Sequence, residues 1–371
     1  SIASGGNYNT VVGDEAGTAL TTGDGNVAVG FEALATEDAD GSNTAIGYRA
    51  LKVLNAGAEG YNVAVGTDAG LSMTLGIQNT LVGNKAGDAL TDADFNVAVG
   101  RSSLTSDTLG SKSTAVGHGT LNTQNFTSAT DSFNTAVGYQ AGAAVTTGIK
   151  NTLIGSVAGD ALTDADFNVA VGDFALSADT LGSRSVAIGR AALTSQNFTT
   201  ATDTYNVAVG YDAGVSVTTG TLNTLIGGLA GDALNTGLQN TALGYVALSA
   251  DTKGQGAVAL GYGALFSQNF TTATANYNTA VGYNAGTAVS TGIQNTLIGG
   301  LAGDALTDAD QNVAVGYAAL TSDTLGSKSI AIGREALVTQ NFTTATDVYN
   351  VAVGHNAGQL ITTGVQNTLI G

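Results

Sequence analysis

The chain has 371 residues, of which 53 are Gly, and it contains no Pro, Cys or Trp. Its net charge of −18 disfavours nucleic acids and anionic membranes as partners, because both are polyanions. The lack of Cys excludes disulfides and thiol-ligated metal sites, and no apolar run approaches the roughly 20 residues that span a bilayer. The hydrophobic residues are largely Ala and Val, which suit a narrow layered core better than a wide globule.

A five-residue motif, Asn-(Thr/Val)-Ala-(Val/Ile)-Gly, recurs 21 times between the first motif glycine, Gly13, and Gly371. The first block, residues 1–66, is less regular, because the step from Gly47 to Gly66 has a length that no later step shares. Over residues 67–371, three 17-residue steps alternate with one 21-residue step, and the four together form a 72-residue super-repeat. We predict one continuous repeat array over 1–371 and interpret it as a segment of a longer chain.

One repeat is long enough for a solenoid coil of two short strands and two turns. Val, Ile and Thr in the motif favour extended backbone, and the following Gly permits a turn with positive φ. The predicted fold class is therefore all-β: a parallel β-solenoid of about 21 coils, mostly 17-residue coils within the four-coil super-repeat.

Both faces of the motif strand are apolar. The residue before the motif Gly is aliphatic in every copy, and the residue before that is small or apolar. One face can line the interior of the coil, whereas the other needs a second surface. We therefore predict a homo-oligomer of identical chains, with a monomeric solenoid as the alternative.

Two side-chain patterns follow the repeats. Asn opens 17 of the 21 motifs and is expected to bond nearby backbone or to stack as a ladder between coils. The regular ladder positions are Asn134, Asn151, Asn168, Asn206, Asn223, Asn240, Asn278, Asn295 and Asn312. The exceptions are Ser113, Ser185, Ser329 and Ala257. A Leu also replaces the central Ala once per super-repeat, as at Leu297, which points to duplication of a four-coil unit.

An acidic segment, GDALTDADFN or a close variant, brings three carboxylates together in several coils. Carboxylates are the hard oxygen ligands that Ca²⁺ prefers, although the spacing is not that of an EF-hand. A calcium site is one interpretation and a solvated acidic turn is the other; otherwise no cofactor is expected. The candidate ligands are Asp88, Asp92, Asp94, Asp160, Asp164, Asp166, Asp304, Asp308 and Asp310.

The 21-residue coil carries aromatic residues at equal intervals, and its four additional residues are expected to bulge outward. Exposed rings there could contact a receptor or a neighbouring chain, whereas Phe rings that fold back would only cover the bulge. The candidate receptor-binding residues are Phe126, Phe198, Phe270, Phe342, Tyr205, Tyr277 and Tyr349. The same loops hold Asn-Phe-Thr sequons, which are possible glycosylation sites.

The motif resembles the head repeat of trimeric autotransporter adhesins, on the segments SVAIG (185–189), SIAIG (329–333) and NTAIG (43–47). The longer form NTAVGYQAG (134–142) and the TTG linkers are similar to repeats of phage-type tail fibres. The resemblance covers nearly the whole chain and implies a left-handed β-roll, three chains around an axis, and a role in surface adhesion. The coil here is longer than the commonest adhesin coil.

We accordingly expect a non-enzymatic extracellular fibre segment, at a cell or virion surface, that attaches to a glycan or protein receptor. The alternative is a purely structural filament or spacer. Ice binding is a weaker alternative because Thr alternates irregularly with Val in the motif. An enzyme is disfavoured because no catalytic residue set is present, and His118 and His355 are expected to be surface substitutions for Tyr.

Overall fold

The computed structural model describes residues 6–39, 41–57 and 59–371. They form an all-β parallel β-solenoid of about 21 turns, and the described residues contain no helix. Hydrogen bonds between successive coils mostly join positions that are a 17-residue repeat apart. The predicted fold class is therefore confirmed.

The chain divides into two compact units, and each strand lies within one of them. Unit 1 comprises Ser1–Arg184 with Phe198–Asp203, and unit 2 comprises Ser185–Asn197 with Thr204–Gly371. The prediction of one continuous array with a less regular first block stays a prediction.

Unit 1 contains ten three-residue motif strands and four two-residue strands. The motif strands are β1 (Thr10–Val12), β2 (Val27–Val29), β3 (Thr44–Ile46), β4 (Val63–Val65), β5 (Thr80–Val82), β6 (Val97–Val99), β8 (Thr114–Val116), β10 (Thr135–Val137), β11 (Thr152–Ile154) and β12 (Val169–Val171). The two-residue strands are β7 (Gly110–Ser111), β9 (Thr130–Asp131), β13 (Gly182–Ser183) and β15 (Thr202–Asp203).

Unit 2 contains eleven motif strands and again four two-residue strands. The motif strands are β14 (Val186–Ile188), β16 (Val207–Val209), β17 (Thr224–Ile226), β18 (Thr241–Leu243), β20 (Val258–Leu260), β22 (Thr279–Val281), β23 (Thr296–Ile298), β24 (Val313–Val315), β26 (Ile330–Ile332), β28 (Val351–Val353) and β29 (Thr368–Ile370). The two-residue strands are β19 (Gly254–Gln255), β21 (Thr274–Ala275), β25 (Gly326–Ser327) and β27 (Thr346–Asp347).

Within each unit the motif strands of successive coils pair in parallel and in register. In unit 2, Ala280 of β22 pairs with Leu297 of β23, and Leu297 pairs with Ala314 of β24. The central residue of each of these strands is fully buried, whereas its two neighbours point outward. A slip of one residue would turn the buried residue to the outside, so the repeat pattern fixes the register.

The motif glycine lets successive coils approach closely at the end of each strand. Gly299 has a φ of +132°, and a Cβ atom at this position would overlap the carbonyl oxygen of Gly316 in the next coil. Only Gly avoids this overlap, because its neighbour there is backbone and cannot rotate away. The glycine therefore allows both the turn and the stacking of coils.

The core shows why Leu replaces Ala once per super-repeat. Leu297 is fully buried, and its side chain lies beside Gly286 of the preceding coil and Gly303 of the following turn. A Cβ atom at Gly303 would lie 2.7 Å from Leu297 Cδ2. Coils that carry Leu at the position of Gly303, such as Leu320, have Ala at the strand centre. The super-repeat therefore alternates large and small side chains so that neighbouring coils fill one core.

The predicted Asn ladder is present in both units. In unit 2, the backbone N–H of Asn295 donates to Asn278 Oδ1 at 2.9 Å, and that of Asn312 donates to Asn295 Oδ1 at 3.0 Å. The ladder Asn side chains also donate to a backbone carbonyl of the next coil, as Asn295 does to Ala309 at 2.7 Å. Buried backbone groups are thus paired between coils by the side chain that opens each motif.

Candidate functional site

At each 21-residue coil the Asn ladder is interrupted, and a buried Gln forms hydrogen bonds with the residues on either side. In unit 1, Gln124 donates to Asp107 at 2.5 Å and to Ser113 at 2.8 Å, and it accepts a hydrogen bond from Asn134. Ser113 and Ser329, two of the exceptions to the Asn pattern, both accept from the Gln of the enlarged coil. The exceptions therefore occur where the enlarged coil supplies its own polar network.

A buried Asp anchors the start of this network. In unit 2, Asp251 accepts the backbone N–H of Gly254 at 3.0 Å and that of Phe270 at 3.1 Å, and Gln268 bonds its other oxygen. Burial raises the pKa of Asp251, although these hydrogen bonds oppose the rise. The enlarged coil is thus held from inside by hydrogen bonds and has a fixed geometry.

The phenylalanines of the enlarged coils fold back and are buried. Their exposed fractions are 5–7%, so none presents a ring face to solvent. These residues are Phe126, Phe198, Phe270 and Phe342. Their burial is the outcome we expected if the Phe rings cover the bulge, and it removes these four rings from any surface that could touch a receptor.

The aromatic residue seven positions later in each enlarged coil is exposed. Tyr277 is 62% exposed, and the corresponding rings are 49–52% exposed. The corresponding residues are Phe133, Tyr205 and Tyr349. Each adopts a φ of about +50° directly before the motif Asn, a conformation that is uncommon for aromatic residues. The backbone thus holds these rings at a fixed corner of the coil.

Charged pairs accompany most of these exposed rings. Lys328 forms an ion pair with Asp347 at 2.6 Å and lies 5.3 Å from the centre of the Tyr349 ring. Lys112 likewise forms an ion pair with Asp131 and lies over the ring of Phe133. The hydrogen bond to Asp347 raises the pKa of Lys328, and Lys328 in turn lowers the pKa of Asp347.

A second series of exposed rings follows the motif glycine. His118 stacks on Tyr139 at 5.5 Å in unit 1, and Tyr262 stacks on both Tyr245 and Tyr283 in unit 2. His355 is also exposed and lies 3.4 Å from the carbonyl oxygen of Arg334. Both His residues thus occupy surface positions, where Tyr stands in other coils.

The three carboxylates of the acidic segment lie in different settings. Asp94, Asp166 and Asp310 are half-buried, and each accepts a backbone N–H from the preceding coil at 2.7–2.8 Å. The exposed members are Asp92, Asp164 and Asp308, and the last two accept a Thr hydroxyl. The second carboxylate of each triplet therefore faces solvent, while the third accepts a hydrogen bond from the backbone.

The first carboxylate of each segment is half-buried. Asp88 accepts the hydroxyl of Thr105 and Asp304 accepts that of Thr321, whereas Asp160 Oδ1 is buried without a hydrogen-bond partner. Burial raises the pKa of all three. Across the residues that the structure describes, no three His, Cys, Asp or Glu side chains are grouped so as to hold a metal ion.

The outward face of the motif sheet is built from aliphatic and Thr side chains. Eleven of the 21 motif strands begin with Thr, nine with Val and one with Ile, and all end with Val, Ile or Leu. The last residues are partly exposed, for example 38% at Ile332 and 40% at Leu243. Each unit therefore presents a strip of half-exposed aliphatic and Thr side chains, which we call the outer sheet face.

Comparisons with known proteins returned no match to a family model, to a curated protein or to a solved structure. In the described part of the chain, no helix has the length and apolarity required to cross a bilayer. The relationship to adhesin or tail-fibre repeats therefore stays a prediction from the motif.

Proposed function

We propose that this chain is a non-enzymatic, extracellular fibre segment that assembles from identical chains and serves in attachment at a cell or virion surface. The observation that supports the proposal is the outer sheet face. Each motif strand contributes two outward side chains drawn from Thr, Val, Ile and Leu, and they stay partly exposed among the residues that the structure describes.

The size of this face favours a protein partner. Strands of three residues stacked about 4.8 Å apart give an outer sheet face of roughly 500 Å² in each unit. The largest apolar patch of a typical monomeric protein is roughly 300–600 Å² and is often functional, so a face of this size in each unit is large enough to mark an interface.

An identical chain is the simplest partner, because its outer sheet face repeats with the same spacing and closed symmetry can bury every copy. The resemblance to adhesin heads favours a trimer.

Attachment requires exposed recognition groups as well as assembly. Tyr205, Tyr277 and Tyr349 are 49–62% exposed and are the predicted receptor residues that remain on the surface. The buried Phe rings favour the alternative, a structural filament or spacer. We favour attachment because the exposed rings are held at fixed backbone positions next to hydrogen-bonded networks, as preorganised recognition groups are.

Adhesion of beads coated with the purified chain tests this function. The surfaces would be immobilised glycans, extracellular-matrix proteins and cultured cells, and beads coated with albumin serve as the control. We expect adhesion to at least one surface that weakens in a Tyr205→Ala, Tyr277→Ala and Tyr349→Ala triple variant of native mass. Adhesion no greater than that of the albumin beads on every surface would favour the spacer.

A further inference from the structure

The 72-residue span that begins at Asp232, which we call the third super-repeat, has lost most of its charge. Eight charged residues lie between Asp160 and Asp232, but only Asp251 and Lys253 lie in the equal span between Asp232 and Asp304. Asp251 is buried, so Lys253 is the only charged residue of that span outside the core. A neutral stretch therefore interrupts a chain that is otherwise strongly acidic.

Four of the lost charges form two ion pairs in the preceding super-repeat. At the enlarged coils of the neighbouring super-repeats, Arg184 pairs with Asp203 at 2.9 Å and Lys328 pairs with Asp347 at 2.6 Å. The positions equivalent to Arg184 and Asp203 in the third super-repeat are Gly256 and Ala275. Both partners are replaced together, so no single charge is left unpaired at the site.

Aromatic residues replace other side chains in the same coils. Tyr262 stands where the neighbouring super-repeats have Arg190 and Arg334, and Phe266 stands where they have Thr194 and Val338. Tyr262 is 50% exposed and Phe266 is 42% exposed.

Tyr262 belongs to a stack of three rings. Its ring centre lies 5.7 Å from that of Tyr245 and 5.4 Å from that of Tyr283. Mutual stacking restricts the motion of these rings, so the aromatic surface is preorganised.

A shallow pocket of about 180 Å³ lies next to this stack in unit 2. It is lined by Val246, Tyr262, Gly263, Phe266, Asn284 and Thr287. Gly263 has no side chain to fill this space, whereas the equivalent positions of the neighbouring super-repeats carry Ala191 and Glu335. No described residue forms a hydrogen bond with the side chain of Asn284 or Thr287, so both polar groups are available to a ligand.

We propose that this pocket binds one uncharged pyranose ring of a neutral glycan, an inference that rests on the proposed role in attachment. The apolar face of the sugar packs against Tyr262 and Phe266, and its hydroxyls bond the Asn284 amide and the Thr287 hydroxyl. A few placed polar groups in a mostly apolar concavity are typical of ligand sites. The cavity is smaller than the roughly 300–1,000 Å³ of drug-sized sites, which fits a single ring.

The surrounding charge selects the class of sugar. A net charge of −18 repels sialylated or sulfated glycans, and no positive charge lines the pocket to offset that repulsion. The same charge disfavours nucleic-acid bases, although aromatic rings can stack on them.

Saturation-transfer NMR on the purified chain tests the pocket. The probes are the methyl pyranosides of glucose, galactose, mannose and N-acetylglucosamine, with sialic acid as the charged comparison. We expect transfer to at least one neutral probe, with a Kd on the order of 1 mM for so small a ligand. We expect no transfer to sialic acid.

Variants then locate the site. Phe266→Thr restores the residue of the preceding super-repeat, and Gly263→Glu restores that of the following one. Each should weaken binding at least tenfold. Val338→Thr and Gly119→Glu are matched controls at equivalent positions outside the pocket and should leave binding unchanged. Absence of transfer to every neutral probe, or equal loss in the controls, would overturn the proposal.

Native mass, measured on the same samples, separates this inference from the proposed function. If the native chain is oligomeric but binds no sugar, the pocket proposal is wrong and the proposed assembly is unaffected. A monomeric mass with sugar binding intact counts against the assembled fibre alone.

Discussion

The packing of Leu against Gly is the feature at the scale of single residues on which the core depends most. Leu297 fills the space left by Gly286 and Gly303, two residues that are distant in sequence but adjacent between coils. Gly303 has a φ of +55°, yet Leu320 adopts +56° at the same position of the next coil. The backbone therefore accepts a side chain there, and the neighbouring Leu decides whether it fits.

A double-mutant cycle tests this packing. Gly303→Ala should destabilise the chain by about 1–3 kcal/mol through overpacking against Leu297. Leu297→Ala alone should cost about 2–5 kcal/mol through the cavity it leaves. In urea unfolding, the double variant should be about 1 kcal/mol more stable than the sum of the two single losses predicts. Strict additivity would show that the two side chains do not compete for space.

Asp251 gives a pH-dependent prediction at the same scale. Burial raises its folded-state pKa, so its contribution to stability is fully present below the unfolded pKa of about 3.9 and is lost as pH rises through the folded pKa. We therefore compare the unfolding free energy of the native chain with that of Asp251→Asn between these two pKa values. The native chain should be favoured over the variant at low pH, and this advantage should shrink as pH rises. A difference between the two chains that stays constant with pH would contradict a raised pKa of Asp251.

The acidic segments give a third prediction at this scale. Asp94 and its equivalents bond backbone, and the exposed members of the triplets face solvent. We expect the solvated-turn interpretation to hold, so millimolar CaCl₂ should shift the melting temperature no more than MgCl₂ does. A shift specific to calcium that disappears in Asp92→Asn, Asp164→Asn and Asp308→Asn would support a calcium site instead.

At the scale of the element, the 21-residue coil combines a buried ring with an exposed one. Phe270 is 6% exposed and Tyr277, in the same coil, is 62% exposed. The two rings therefore have different roles: Phe270 covers the enlarged coil, whereas Tyr277 stands on its surface.

Alanine substitutions within this coil should separate these roles. Phe270→Ala should lower the free energy of unfolding by about 3–5 kcal/mol, because it opens a cavity in a packed element. Tyr277→Ala should change it by about 0.5 kcal/mol or less, as is usual for surface positions. Equal losses in thermal or urea unfolding would contradict the buried position of the phenylalanine.

The sequence predicted the motif strand and its turn because the motif carries its own signals. The second strand predicted for every coil was wrong for most of them, since the two-residue strands occur in only some coils. Both faces of Val27–Val29 and its equivalents are apolar, so the sequence did not show which side chain is buried, whereas the motif Gly predicted the turn. The outward bulge expected for the four additional residues stays a prediction, because the period alone does not fix their direction. The role of Gln124 was missed because it lies well before its partner Asn134 in the chain. A comparison of Arg190 with Tyr262, its equivalent in the next super-repeat, would have indicated the neutral patch.

At the scale of the whole molecule, the outer sheet face is the feature that calls for a partner. The outer residues of its motif strands are Thr, Val, Ile or Leu throughout, whereas the pocket beside Tyr262 occurs where a single super-repeat departs from the others. Assembly would therefore be encoded by what all coils share. Recognition would be encoded by the exposed Tyr rings of the enlarged coils and by the pocket that a single super-repeat adds.

The mass of the native particle in solution tests the central claim most directly. Sedimentation or native mass spectrometry of the purified chain should give a multiple of its 36.5 kDa mass, with three chains as the expected number. Val281→Lys and Val315→Lys, on the outer sheet face, should reduce that mass towards one chain while the β-sheet circular dichroism is kept. A native chain that is monomeric at micromolar concentration would contradict the account of an assembled fibre.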